Sequence, residues 1–252
     1  MIYFLSDAHL GCRAMTSGRT RERRLVRFLD SVKTKATAVY LLGDIFDYWF
    51  EFRQVVPKGY VRFLGKLAEL TDNGVEVHFF IGNHDIWCKD YLTHECGIIM
   101  HYEPCTAELG GKVFYLAHGD GLGEKDRRFM FLRSMFHNPF LQRAFACLHP
   151  DHSVALGLRW AAHNRRKHER EGAPVFRGET GEPLVAYSKG YLAEHPEVSY
   201  FIYGHRHVEV DLPLSNDSRM FIVGDWVEKF SYAVFDGETV TLHRYIEGET
   251  QP

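Results

Sequence analysis

The stretch VEVHFFIGNHDIW, residues 75–87, runs from a β-branched and aromatic segment straight into a glycine, an amide, an imidazole and a carboxylate. A short apolar run of this composition predicts a buried strand. Four polar residues directly after it predict either a well-bonded turn or a site built at the strand's carboxyl end. The rest of the chain decides between the two. Similar strand-forming runs occur at IYFLSD (2–7), AVYLLGD (38–44), KVFYLAHGD (112–120) and VSYFIYGHRH (198–207), and each also ends in polar residues.

Helical periodicity separates the first three runs. Leu25, Phe28, Leu29 and Val32 share one face of the first helical segment, and Val61, Leu64, Leu67 and Leu70 share one face of the second. Strand, helix, strand, helix, strand implies a mainly parallel buried sheet. After Gly204 the pattern changes to RMFIVGDW and FSYAVFDGETVTLHRYI, where the Asp236–Gly237 step predicts a hairpin and antiparallel pairing. The expected fold class is therefore α/β, with parallel and antiparallel pairing both present.

Composition narrows the function classes. The chain has 252 residues, 45% hydrophobic and 25% charged, enough for one large domain with its own core. A formal charge of −3 gives no general basic field for nucleic acid, and none is expected as a partner. Cys12, Cys88, Cys96, Cys105 and Cys147 form no CxxC pair, and Met1 leads directly into the first strand without a secretory signal, so a cytoplasmic setting is expected. No apolar run reaches the roughly 20 residues that span a bilayer.

Residues 123–172 differ in kind. They carry ten Lys and Arg against five Asp and Glu, interleaved with Phe129, Phe131, Phe136, Phe140 and Trp160 among other large apolar residues. That mixture predicts helices with one apolar and one cationic face, inserted into a single domain spanning 1–252.

Open α/β sheets bind ligands beyond the carboxyl ends of their strands, where this chain has Asp7 and His9, Asp44, Asn83 to Asp85, His118, and His205 to His207. Taken singly, each is an ordinary turn, cap or hydrogen-bonded residue. Recurrence at five strand ends points to metal binding. One divalent ion could take Asp7, His9 and His207, and a second Asn83, His118 and His205, with Asp44 between them. Mixed N/O ligation without thiolate suits Mn2+ first, with Fe or Zn also fitting, better than a calcium cage. Two such ions form a clamp for displacement at phosphorus. In the GNHD segment, Asp85 is expected to bond within its own loop.

The blocks DAH, GDIFD, GNHD, AHGD and GHRH, in this order between residues 7 and 207, resemble the signature of the calcineurin-like metallophosphoesterases. The resemblance implies a double β-sandwich flanked by helices, with a dinuclear centre on Asp7, His9, Asp44, Asn83, His118, His205 and His207. It gives His84 and Asp47 catalytic roles, with the Asp47 carboxylate orienting His84; a carboxylate beside the ring is also expected to favour its imidazolium. GDIFDYWF, the basic insertion after HGD, GHRH and a terminal VGDW further resemble the UDP-2,3-diacylglucosamine diphosphatases of lipid A biosynthesis, although their best-known branch has arginine where this chain has His84. An acylated nucleotide-sugar substrate and peripheral contact with the inner leaflet of the inner membrane are then implied. The insertion becomes a helical lid, with Asp126, Asn164 and Arg165 joining Asn83, His84 and His205 around the substrate. A phosphoesterase acting on another nucleotide or pyrophosphate, and a noncatalytic scaffold of the same fold, are the rival readings.

Overall fold

The computed structural model describes residues 1–12, 18–123 and 127–251, without the side chains of 129 and 164–171. Asp126 lies outside the described residues, as do the side chains of Phe129, Asn164 and Arg165.

Two sheets stack face to face. The six-stranded sheet has the order β11(Val240–Arg244), β10(Ser231–Phe235), β1(Ile2–Leu5), β2(Ala38–Leu42), β3(Glu76–Phe80), β4(Ile99–His101). Its β1 to β4 strands are parallel, as the alternating strand–helix pattern requires, while β10 adds antiparallel to β1 and turns at Asp236–Gly237 into β11. The Asp236 carboxylate accepts the Glu238 and Thr239 backbone N–H groups, closing that hairpin. The second sheet has the order β5(Cys105–Leu109), β6(Lys112–Ala117), β7(Val198–Tyr203), β9(Arg219–Val223), β8(Glu209–Pro213), parallel through β6, β7 and β9.

The apolar core divides into three layers. Phe4, Tyr40, Leu42, Phe80, Phe114, Ile202 and Phe221 fill the space between the sheets. Helices α1(Gly18–Val32), α2(Val61–Asp72) and α3(Tyr91–Cys96) cover the outer face of the first sheet, and α7(Pro183–Glu194) covers the second. The result is the expected double β-sandwich with flanking helices.

Leu25, Phe28, Leu29 and Val32 are buried as their spacing predicts. Along α2 the expected face is rotated: Val61 is exposed, and the buried positions are Phe63, Lys66, Leu67 and Leu70. Lys66 can lie there because its ammonium reaches out to Asp30 and Glu69 while its aliphatic stem packs inward.

Residues 127–171 form three consecutive helices, α4(Arg127–His137), α5(Pro139–Ala146) and α6(Pro150–Glu171). Proline opens both α5 and α6, and Asn138 caps α5 by accepting from Phe140 and Leu141 N–H.

Candidate metal centre

Each predicted strand stops before its polar block, so the candidate ligands stand on loops just past β1, β2, β3, β6 and β7. The loops are drawn together by backbone bonds: Asp7 N–H donates to Gly43 O, His9 N–H to Asp44 O, and Gly204 N–H to His118 O. Gly82 and Gly204 allow the closest approaches, since a side chain at Gly82 would collide with Asp44 and one at Gly204 with Ser6 and Asp7.

These contacts create two neighbouring groups. Asp7, His9 and His207 offer ligand atoms within 4.8 Å of one another, and so do Asp44, His118 and His205. His9, Asp44 and His84 form a third such set, which links the first two. Asn83 belongs beside the second group by sequence, and its buried Oδ1 has no hydrogen-bond partner. Asp7 Oδ1 and His118 Nε2 are likewise buried without one. Such orphaned atoms are costly unless something binds them. Carboxylate, amide and imidazole atoms, crowded together and without thiolate, fit a divalent metal.

The surrounding bonds fix which atom each ligand offers. His118 Nδ1 donates to Leu42 O at 2.7 Å, so Nε2 turns toward Asp44 Oδ2 at 3.5 Å. Ser6 Oγ and the His205 backbone N–H both donate to Asp7 Oδ2, at 2.6 and 2.8 Å, leaving Oδ1 toward His207 Nε2 at 3.2 Å. Burial disfavours charge on His118, but the Asp44 carboxylate outweighs it and holds this imidazole well above its ordinary pKa. Burial, reinforced by His118, pushes His205 down to about 4.

Five of the seven candidate ligands have left-handed backbone: Asp7 at φ 55°, His9 at 42°, Asp44 at 52°, His205 at 65° and His207 at 51°. Aspartate and histidine are among the residues that tolerate this region best. Their concentration at one place marks strain kept for function.

The GNHD segment differs from expectation in three ways. His84 Nδ1 lies 2.9 Å from the backbone carbonyl of Asp47, whereas the Asp47 carboxylate is 3.9 Å away and sits closer, at 3.5 Å, to His9 Nδ1. Asp47 thus orients His84 through its main chain. Burial dominates at His84 and pushes its pKa down despite Asp44 and Asp47, so the imidazolium is not the favoured form in the free protein. Asp85 bonds within its own loop as expected, accepting Gly82 N–H at 2.7 Å, and beyond it as well, accepting Asp44, Ile45 and Phe46 N–H at 3.3, 2.8 and 3.2 Å. Burial and the Asp44 carboxylate push Asp85 up to about 7 against the pull of those donors.

Trp87 and Tyr48, which carry no functional signal in the sequence, dock the inserted helices. The Trp87 indole donates to Phe136 O at 2.9 Å and its ring packs against Phe136 and Phe145. Gly157 of α6 lies so close to the Tyr48 ring that a Cβ there would overlap it. Arg133 of α4 pairs with Asp120 at 2.7 Å, two residues beyond His118. Phe131, Met135, Phe140, Leu141, Leu156 and Trp160 are exposed on these helices, so part of the insertion's apolar face is turned to solvent.

Sheets, flanking helices and a loop-built cluster of carboxylates and imidazoles define a metallophosphoesterase. The chain belongs to the calcineurin-like phosphoesterases, metal-dependent hydrolases whose family model matches residues 1–209. A UDP-2,3-diacylglucosamine hydrolase from Porphyromonas gingivalis (strain ATCC BAA-308 / W83) is 44% identical over 251 residues, covering 96% of each chain. A protein of the same name from Yersinia pseudotuberculosis serotype O:1b is 28% identical, covering 95% of this chain and 96% of its own. Among solved structures, the phosphoesterase Yfce from E. coli aligns over 96% of this chain and 92% of its own, at 14% identity and a TM-score of 0.45. Among the described residues, no helix is long and apolar enough to cross a membrane.

Proposed function

We propose that this chain hydrolyses the pyrophosphate of UDP-2,3-diacylglucosamine to 2,3-diacylglucosamine 1-phosphate (lipid X) and UMP, as a step of lipid A biosynthesis. The observation that carries this reading is the pair of ligand groups linked through His9 and Asp44, with buried orphaned atoms in both, in a chain 44% identical to a protein named for that substrate. Asp7, His9 and His207 would hold one divalent ion and Asn83, His118 and His205 a second, with Asp44 available to both. Mn2+ is the first choice, with Fe or Zn also suited to the donor set. When bound, the two ions supply an activated water and neutralise phosphoryl charge.

The remaining residues bind and orient. His84, held through Nδ1 by Asp47 O, has Nε2 left for a phosphoryl oxygen or the departing sugar phosphate. The exposed apolar side chains of α4 to α6 shelter the acyl chains, and the basic residues of the same helices meet phosphates and the headgroup surface of the inner membrane's cytoplasmic leaflet. Asp126, Asn164 and Arg165 approach the glucosamine.

The test is direct. Purified protein reconstituted with Mn2+ is given UDP-2,3-diacylglucosamine, a deacylated UDP-sugar and an aryl phosphodiester, with products resolved by mass spectrometry and metal measured by elemental analysis. Lipid X and UMP, formed at the highest kcat/KM and lost on chelation, are expected. Preference for the deacylated sugar would replace the substrate, and metal-loaded protein inert on all three would favour a scaffold.

A further inference from the structure

We infer that Asp225 and Lys229 are positioning residues for the imidazole of His207, and through it for the first of the two ions; this rests on the metal reading above. Both residues belong to the loop between β9 and β10, which contributes none of the candidate ligands.

Asp225 is buried, with 2% of its surface exposed. Its Oδ1 accepts three backbone N–H groups, from Val227 at 2.9 Å, Glu228 at 2.7 Å and Lys229 at 3.2 Å. Those bonds alone would make a well-formed turn, so Oδ1 is accounted for structurally. Oδ2 has a different surrounding: it accepts from Lys229 Nζ at 3.0 Å and lies 3.8 Å from His207 Nδ1. On the far side of the same ring, His207 Nε2 is 3.2 Å from Asp7 Oδ1 and 3.3 Å from His9 Nε2. The imidazole therefore stands between a carboxylate and the ligand cluster. A carboxylate facing Nδ1 favours the tautomer with its proton there and leaves the Nε2 lone pair for a metal.

The loop also holds the main chain on which that ring depends. Lys229 Nζ donates to His207 O at 2.7 Å, fixing a residue whose backbone is left-handed. Trp226 N–H donates to Asp7 O at 3.1 Å, so the loop grips a second ligand of the same ion. Asp225, Trp226 and Lys229 thus converge on Asp7 and His207, and among the described residues none of the three is hydrogen-bonded to Asn83, His118 or His205. The effect should be confined to one ion.

Asp225→Asn isolates the claim. The amide retains one oxygen for the turn but presents an N–H2 donor where Oδ2 stood, opposing a protonated Nδ1. Full-length protein stripped of metal is titrated with Mn2+ by calorimetry and electron paramagnetic resonance, using His9→Ala and Asn83→Ala to identify the two sites. Asp225→Asn and Lys229→Met should each weaken the His9-dependent site, the former by about 10- to 100-fold, the scale for losing an outer partner of a metal-bound histidine. The other site and the melting temperature of the metal-free protein should stay unchanged. Wild-type affinity at both sites in Asp225→Asn would reduce Asp225 to a turn former, and equal weakening of both, or a lower metal-free melting temperature, would make the loop a general structural support. Wild-type protein binding no ion would overturn the metal reading itself, an outcome distinct from the other two.

Discussion

Asp85→Ala removes the acceptor for four backbone N–H groups on two loops. The donors come from Gly82 on one side and from Asp44, Ile45 and Phe46 on the other, and Asp85 is itself fully buried. A buried donor left without an acceptor costs about 1–3 kcal/mol; at the lower end, because water can enter the space an alanine leaves, four cost about 4 kcal/mol. Asp85→Asn keeps one oxygen but sets an N–H2 group against the other pair of donors, so about half that loss, ~2 kcal/mol, is expected. The assay is urea unfolding at pH 8, above the value near 7 to which Asp85 is pushed, so that the native group is a carboxylate. Chelator must be present, because a bound ion would add stability by mass action. With an m-value of about 3 kcal/mol/M, the alanine midpoint should fall by more than ~1 M and the asparagine midpoint by about half as much. An alanine shift below ~0.3 M, about 1 kcal/mol at that slope, would refute Asp85 as the tie between the two loops.

Asp44→Ala takes a ligand atom from both proposed ion sites, so Mn2+ content by elemental analysis should fall at both and turnover should vanish; full activity would disprove the shared carboxylate. His84→Ala should retain both ions yet lose about 10²- to 10³-fold in kcat, the scale for one transition-state donor. His84→Arg should recover part of that loss on the pyrophosphate, because a fixed cation can also stabilise phosphoryl charge. Trp160→Ala, at an exposed position on α6, should lower kcat/KM for the diacylated substrate while sparing an aryl phosphodiester; equal losses on both would point to damaged folding.

The parts of this molecule that were legible in the sequence are those governed by local pattern. Alternation and β-branching located β1, β2, β3, β6 and β7, the period of Leu25, Phe28, Leu29 and Val32 oriented α1, and polar residues after each strand identified the loops that meet. What stayed hidden depends on neighbours far away in the chain. Asp85 looks like a turn residue until Ile45 and Phe46, some 40 positions earlier, are seen to donate to it. Asp47 stands three residues after Asp44, which says nothing about its carboxylate facing His9. Val61 has helical spacing with Leu64, but it is the first residue of the helix and is exposed, while Phe63 two positions on is fully buried, so the packed face is rotated away from Val61. Trp87 gave no local hint that its indole would anchor the inserted helices at Phe136.

The left-handed backbone at Asp7, His9, Asp44, His205 and His207 sets heat resistance against catalysis. A left-handed L-residue costs roughly 1–2 kcal/mol, so five together impose on the order of 5 kcal/mol or more, comparable to the whole stability margin of about 5–15 kcal/mol of an ordinary domain. Glycine at His9, His205 or His207 would relieve that cost while deleting a side chain that defines the site, whereas at Asp7 or Asp44 it would also leave the His205 or His84 backbone N–H without that acceptor. Directed evolution toward thermal endurance, scored without a turnover assay, would therefore drift toward a sturdier and inert protein, and it would begin at the three histidines.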